Sequence, residues 1–208
     1  AMANSTKQVI YCVARAAGLF GLARRLTRKR LRILAYHGFS LRDEAEFRSK
    51  LFINPLTFER RLDILRHQGY RVTTLDQAFD ELQRQQLAPD TVVITIDDGY
   101  ASTLSVAAPL LYARGYPATV YLTSYHMQTQ TPVFDLLVGY LIWKTQVPSV
   151  ALSWPNNSAT VVMPLDTSVA KDKAADAVIA RGHAMQSEAE RVALSRALAS
   201  ALHMDIDE

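Results

Sequence analysis

The stretch Thr91-Val92-Val93-Ile94-Thr95-Ile96-Asp97-Asp98-Gly99-Tyr100 constrains this chain more than any other. Val92, Val93, Ile94 and Ile96 make a β-rich apolar run too short for a helix, which reads as an interior strand covered on both faces. Two carboxylates end it. Adjacent anions at the end of a buried strand need water, a cation or a shared proton. Gly99 lets the backbone turn sharply, so both side chains can face one pocket beyond the strand's carboxyl end.

Two functional readings and one structural reading fit that pair. One aspartate could hold a divalent metal while its neighbour takes a proton from water. A receiver-type cluster also groups acids around magnesium and a phosphoryl group, but there the acidic pair follows the first strand, and here it follows about three elements. Alternatively, the side chains cap the next helix by accepting from N–H groups near Ala101 and Ser102. Capping requires only one aspartate, so the pair favours chemistry.

Around this stretch the chain alternates strand and helix. Leu31 to Tyr36 reads as a first strand ending in His37-Gly38, and residues 39–54 as an irregular rim loop. Pro55 opens a helix that buries Phe58, Leu62 and Leu65 and stops at Gly69. Tyr70 to Thr73 is a short strand. Thr74 and Gln77 form a capping box for a helix burying Phe79 and Leu82. A helix over 101–114, kinked or delayed by Pro109, leads to a strand over Ala118 to Leu122. This rhythm predicts an α/β domain with a largely parallel sheet, whose sites lie at the carboxyl ends of strands. His37, Asp97 and Asp98 all fall there.

After Thr123 the pattern changes. Thr131-Pro132 opens a very apolar helix. Val150 to Trp154 and Thr160 to Met163 form a β-hairpin through Pro155-Asn156-Asn157-Ser158. Helices follow over about 167–181 and after Ser187, which pairs with Glu190 in a capping box ahead of Leu194, Leu198 and Leu202.

Charge is unevenly distributed. Residues 1–32 carry eight basic side chains and no acid, leaving 15 basic against 20 acidic residues in the remainder. Residues 7–28 have helical apolar spacing and suggest one amphipathic helix, weakened at Gly18 and Gly21 and packed on the main domain with its basic end in solvent. Contact with anionic lipid or polymer through residues 7–30 is the second reading. Nucleic acid is excluded as a partner because the basic cluster is short and lacks interleaved aromatics. No apolar run is long enough to span a bilayer, and Arg15 cuts short the only segment resembling a signal peptide, so a cytoplasmic or membrane-peripheral location is expected. Ala1-Met2 reads as an addition ahead of the natural start. Cys12 is the sole cysteine, so no internal disulfide can form. Oligomeric state is not encoded in any of these features.

A wider pattern adds to this reading. Leu34-Ala35-Tyr36-His37, Phe58-x3-Leu62-x2-Leu65-x3-Gly69-Tyr70, Thr95-Ile96-Asp97-Asp98-Gly99-Tyr100 and Leu111-x3-Gly115-Tyr116-Pro117-Ala118-Thr119-Val120-Tyr121-Leu122 resemble, in order and spacing, the amino-terminal part of a polysaccharide deacetylase of the NodB-homology family. The resemblance covers residues 31–123. It implies a distorted (β/α) barrel, zinc or a related divalent ion, and hydrolysis of N-acetyl (or O-acyl) groups on a polysaccharide. Ile96 stands where the family motif Thr-Phe-Asp-Asp-Gly has Phe. By that resemblance Asp97 is the general base and Asp98 a metal ligand. Tyr100 could stack on a sugar ring. His37 and His126, the latter just past the Ala118–Leu122 strand, are candidates for the pocket rim.

The family's remaining ligands come from a His-Ser/Thr-x-x-His motif. The five histidines here, His37, His67, His126, His183 and His203, include no such pair. The later Arg-x-Pro-Tyr and Leu-x-His motifs are not found downstream of the acidic pair. Three accounts follow: a deacetylase truncated before its second motif, an inactive relative retaining a carbohydrate-binding or assembly surface, or an enzyme recruiting histidines by another route. Truncation is the expectation, with 1–30 a basic amphipathic helix, 31–123 the amino-terminal part of the deacetylase domain, and 124–208 an insertion or continuation of it. The chain is then expected to bind zinc weakly or not at all and to be inactive or weakly active alone.

Overall fold

The computed structural model describes residues 2–154 and 160–205, with side chains from residue 6 onward. The expected hairpin turn at Pro155-Asn156-Asn157-Ser158, and Ala1, lie outside the described residues. The chain divides into two units, Ala1–Leu122 and Thr123–Glu208.

The first unit runs α1 (Met2–Ala16), α2 (Leu19–Thr27), β1 (Arg32–Tyr36), β2 (Gly38–Phe39), α3 (Glu44–Phe47), β3 (Phe52–Ile53), α4 (Pro55–His67), β4 (Arg71–Val72), α5 (Leu75–Gln83), β5 (Thr91–Ile96), a π-turn (Thr103–Ala107) leading into α6 (Ala108–Tyr112), and β6 (Thr119–Val120). All six residues of β5 are buried, as an interior strand requires. Along one edge β5 pairs with the whole of β1, in parallel, from Arg32 opposite Val92 to Tyr36 opposite Ile96. Its other edge is shared. β4 takes the entry end at Thr91 and Val92, and β6 the exit end at Thr95 and Ile96, both parallel. A second parallel pair, β2 with β3, forms within the segment expected to be an irregular loop. The sheet is open among the described residues, so the expected barrel is present only as this parallel α/β sheet and not as a closed wall.

Local chemistry accounts for the helices. In α4, Asn54 accepts from the Leu56 N–H and Pro55 occupies the first turn, while Phe58, Leu62 and Leu65 turn into the core. Gly69 then takes a left-handed φ of 68° and stops the helix. Phe58 packs edge-on against Tyr36 and Phe39, with ring centroids 4.9 and 4.7 Å apart, joining α4 to the carboxyl end of β1. Arg114 locks α4 to the segment after α6 through Asp63 at 2.7 Å and Glu59 at 3.1 Å. The π-turn precedes Pro109, which has no N–H to donate to the preceding turn.

Four expectations are corrected. The single helix over 7–28 is two helices, because Gly18 takes φ 68° between them. Their apolar side chains are exposed instead of packed on the domain. In α5, Thr74 accepts from the Gln77 N–H, but the Gln77 side chain turns to Thr73 and Glu81, so the box is half formed. Ala78 takes the buried position of that helix, while Phe79 and Leu82 are exposed. A small residue at the contact lets α5 approach β5 closely and leaves its larger neighbours on the outer flanks.

The second unit comprises α7 (Ser124–Thr129), α8 (Phe134–Lys144), β7 (Ser149–Ser153), β8 (Thr160–Pro164), α9 (Ser168–His183) and α10 (Glu188–Ala201). β7 and β8 form the expected antiparallel hairpin. Its core joins Val138, Leu141 and Ile142 of α8 to Val150, Leu152, Val178, Leu194 and Leu198. The Ser187–Glu190 capping box forms in full. No helix among the described residues is long and apolar enough to cross a membrane.

Candidate active site

β5 delivers Asp97 to the end of the sheet while still paired, since the Asp97 N–H donates to the Tyr36 carbonyl at 2.8 Å. The strand then breaks sharply. Asp98 and Gly99 take consecutive left-handed conformations, φ 67° and 72°, and the Gly99 N–H folds back to the Asp97 carbonyl at 2.9 Å. Gly99 suits this geometry. A non-glycine residue there is strained, so Asp98 holds its position at a conformational cost. A methyl group on Gly99 would also lie 2.4 Å from Cδ2 of Leu122.

The residue before the helical turn Thr103–Ala107 is Ser102, which makes no side-chain capping bond, and neither carboxylate of the pair accepts a hydrogen bond from another described residue. The task of tying the turn down belongs to Ser102, whose hydroxyl accepts from the Phe39 N–H at 3.0 Å. That residue escaped the sequence reading because one serine after an acidic pair carries no distinctive pattern.

His37 leaves β1 beside Asp97, its Nε2 3.7 Å from Oδ2 of the carboxylate, with both side chains partly exposed at 40% and 34%. The register of β1 against β5 sets this juxtaposition, because Tyr36 opposes Ile96 and the next residue of each strand is His37 and Asp97. Tyr100 packs against Phe52 with ring centroids 5.4 Å apart. Burial pushes the Tyr100 phenol above its ordinary pKa, and the Asp98 charge adds to the rise, which places that carboxylate within electrostatic reach of the ring.

A cavity of about 300 Å³ opens beside His37, lined also by Gly38, Lys50, Phe52 and Arg61. Gly38 makes room for the wall, since a Cβ there would fall 2.2 Å from the Phe52 ring. The rim is built by the segment after β2. Burial works to raise the Glu44 carboxyl, but hydrogen bonds from the Arg42 and Leu41 N–H groups and the Ser40 hydroxyl outweigh it and hold its pKa below the usual range. Lys50 and Arg61 were not foreseen, because a lone cation in a loop and another on a helix reveal their convergence only in three dimensions.

His126 lies in the second unit on α7, with its Nδ1 3.0 Å from the Thr131 carbonyl. His37, Asp97 and Asp98 are the donors that the first unit brings to one strand end. Among the described residues no group of three or more His, Cys, Asp or Glu side chains could hold a metal ion. The donor set present therefore does not fit a complete metal centre. What the arrangement offers is a partly exposed carboxylate beside an imidazole, able to accept and hold a proton, next to a second carboxylate on a strained turn.

No family model matches the chain, and no curated protein does. Solved structures do. The chain is similar to IcaB from Ammonifex degensii, with 31% identity and a TM-score of 0.39 over 44% of this chain and 37% of that one. It is similar to the Streptococcus pyogenes deacetylase PplD in complex with acetate, with 22% identity and a TM-score of 0.44 over 52% and 50%. A de-N-acetylase from Aggregatibacter actinomycetemcomitans aligns at 16% identity and a TM-score of 0.43 over 83% and 75%. The chain thus spans half or less of the first two structures. Of these three structures, one is described as a deacetylase and one as a de-N-acetylase.

Proposed function

We propose that this chain carries the acid–base side of a deacetylase site that hydrolyses N-acetyl groups on a polysaccharide. The observation that carries the reading is the end of β5, where Asp97 and Asp98 stand free of capping duty on a left-handed turn with His37 3.7 Å from Asp97. Asp97 takes a proton from water. The water oxygen bonds to the acetyl carbonyl carbon, the C–N bond breaks, and the proton passes to the departing nitrogen, giving acetic acid and an amine, which become acetate and an ammonium group once the acid proton transfers. His37, 3.7 Å from the Asp97 carboxylate, helps to position it. Tyr100 supplies an aromatic surface for a sugar ring.

Asp98 would serve as one ligand of a divalent metal, zinc by the family resemblance, which supplies Lewis-acid chemistry when bound. The donors in this chain do not complete that centre, so no step is assigned to it. Acetate release from acetylated aminosugar oligomers, measured with and without added divalent metal, tests the proposal. Turnover abolished by Asp97→Asn supports it. Turnover left unchanged by Asp97→Asn overturns it, and saccharide binding with no acetate release from the longest available form of the protein favours a carbohydrate-binding module instead.

A further inference from the structure

The first two helices are amphipathic, yet α2 is mounted the wrong way round for a domain-packing role, and α1 is exposed along almost all of its described length. On α2, Leu19, Leu22 and Leu26 lie on one face and Arg24, Arg25 and Arg28 on the other, as a spacing of 3.6 residues per turn requires. From the charged face, Arg24 meets the protein. Arg24 reaches both carboxylate oxygens of Asp90 at 3.3 and 3.2 Å, donates to the side chain and carbonyl of Gln68 at 2.9 and 2.7 Å, and lies 4.4 Å over the Tyr70 ring. The apolar face points to solvent: Val9, Val13, Leu19, Leu22 and Leu26 are between 52% and 74% exposed. α2 buries no residue at all. Tyr11 of α1 and Phe20 of α2 come within 6.5 Å, so the two helices present neighbouring aromatic and aliphatic groups.

Charge identifies what covers this face. Residues 1–32 hold eight cations and no anion, while the remainder carries 15 basic against 20 acidic side chains. Arg15, Arg25, Lys29 and Arg30 make no salt bridge to any described residue. A second copy seated on the same face would bring eight cations against eight. An anionic bilayer instead attracts α1 and α2, where the chain's positive charge is concentrated. Once there, leucines and valines enter the acyl boundary while arginine stems extend to the headgroups.

We infer that α1 and α2 form an interfacial anchor for an anionic phospholipid surface, holding the first unit there through Arg24. The test is co-sedimentation of the full chain with vesicles of phosphatidylcholine alone and of phosphatidylcholine mixed with phosphatidylglycerol. Affinity for the anionic vesicles is expected to be at least about tenfold higher and to fall with added salt. Leu22→Glu with Leu26→Glu should weaken it by about tenfold or more without changing the circular dichroism spectrum, because both side chains are already exposed. Arg15→Glu with Arg25→Glu should remove the preference for anionic lipid. Equal or absent binding to the two vesicle types overturns the inference. So does undiminished binding by the leucine variant, or a dimer in sedimentation equilibrium that the leucine variant dissociates.

Discussion

Asp98→Gly should stabilise the first unit. Asp98 sits at φ 67°, where an L-residue carries a penalty of about 1–2 kcal/mol that glycine avoids. Glycine's larger unfolded-state entropy returns about 0.5–1 kcal/mol. The net expectation is a gain of about 0.5–1 kcal/mol, since no hydrogen bond from the Asp98 carboxylate to another described residue is lost. Asp98→Ala keeps the left-handed cost and should be neutral or slightly destabilising, because aspartate tolerates that region better than alanine. The probe matters. Trp143 and Trp154, the only two tryptophans, both lie in the second unit, so their fluorescence would report on the wrong half. Hydrogen exchange of the β5 amides, followed against urea, reads the relevant opening. If Asp98→Gly lowers the protection of β5 by about 1 kcal/mol or more, the carboxylate is holding the turn and the reasoning from strain to chemistry fails.

Asp98→Asn should lower the Tyr100 pKa toward its ordinary value without fully restoring it, because burial is the larger cause of the rise; an ultraviolet titration of the phenol checks this. Gly182→Ala should destabilise the second unit by about 1–3 kcal/mol despite alanine's better helix propensity, since its methyl would lie 2.2 Å from the buried Phe134 ring. Tryptophan fluorescence against urea measures that loss. Arg24→Ala should flatten the acid side of the stability curve. Its hydrogen bonds hold the Asp90 carboxyl below its ordinary pKa, so their contribution is present above about pH 4 and lost as pH falls through the folded-state pKa. A denaturation series from neutral to acid pH in which parent and variant keep the same spacing would contradict this.

Much of the first unit could be read from the chain itself. The β-branched run at Val92–Ile96 can satisfy its apolar side chains only as a covered strand, and Asn54-Pro55 and Gly69 bracket α4 by local backbone chemistry that needs no partner. Phe79 and Leu82 show where such reading stops. Their spacing on α5 announces an apolar face, but which side chain is covered depends on the element opposite, and Ala78 takes the contact. The same limit applies to α1 and α2. Amphipathicity was evident, whereas the choice to dock the arginine face through Asp90 depends on where β5 begins.

By itself, the sequence determined the acidic pair, the glycine that lets the strand turn, and the excess of positive charge before residue 33. These depend on residue identity and on conformational preferences that act within a few bonds. Only the tertiary structure decided that His37 stands 3.7 Å from Asp97 and that Lys50 and Arg61 line one cavity. It likewise decided that α2 docks through Arg24 and leaves its leucines exposed. Such distances join residues far apart in the chain, and strand register and helix docking set them through packing that no short stretch of sequence contains.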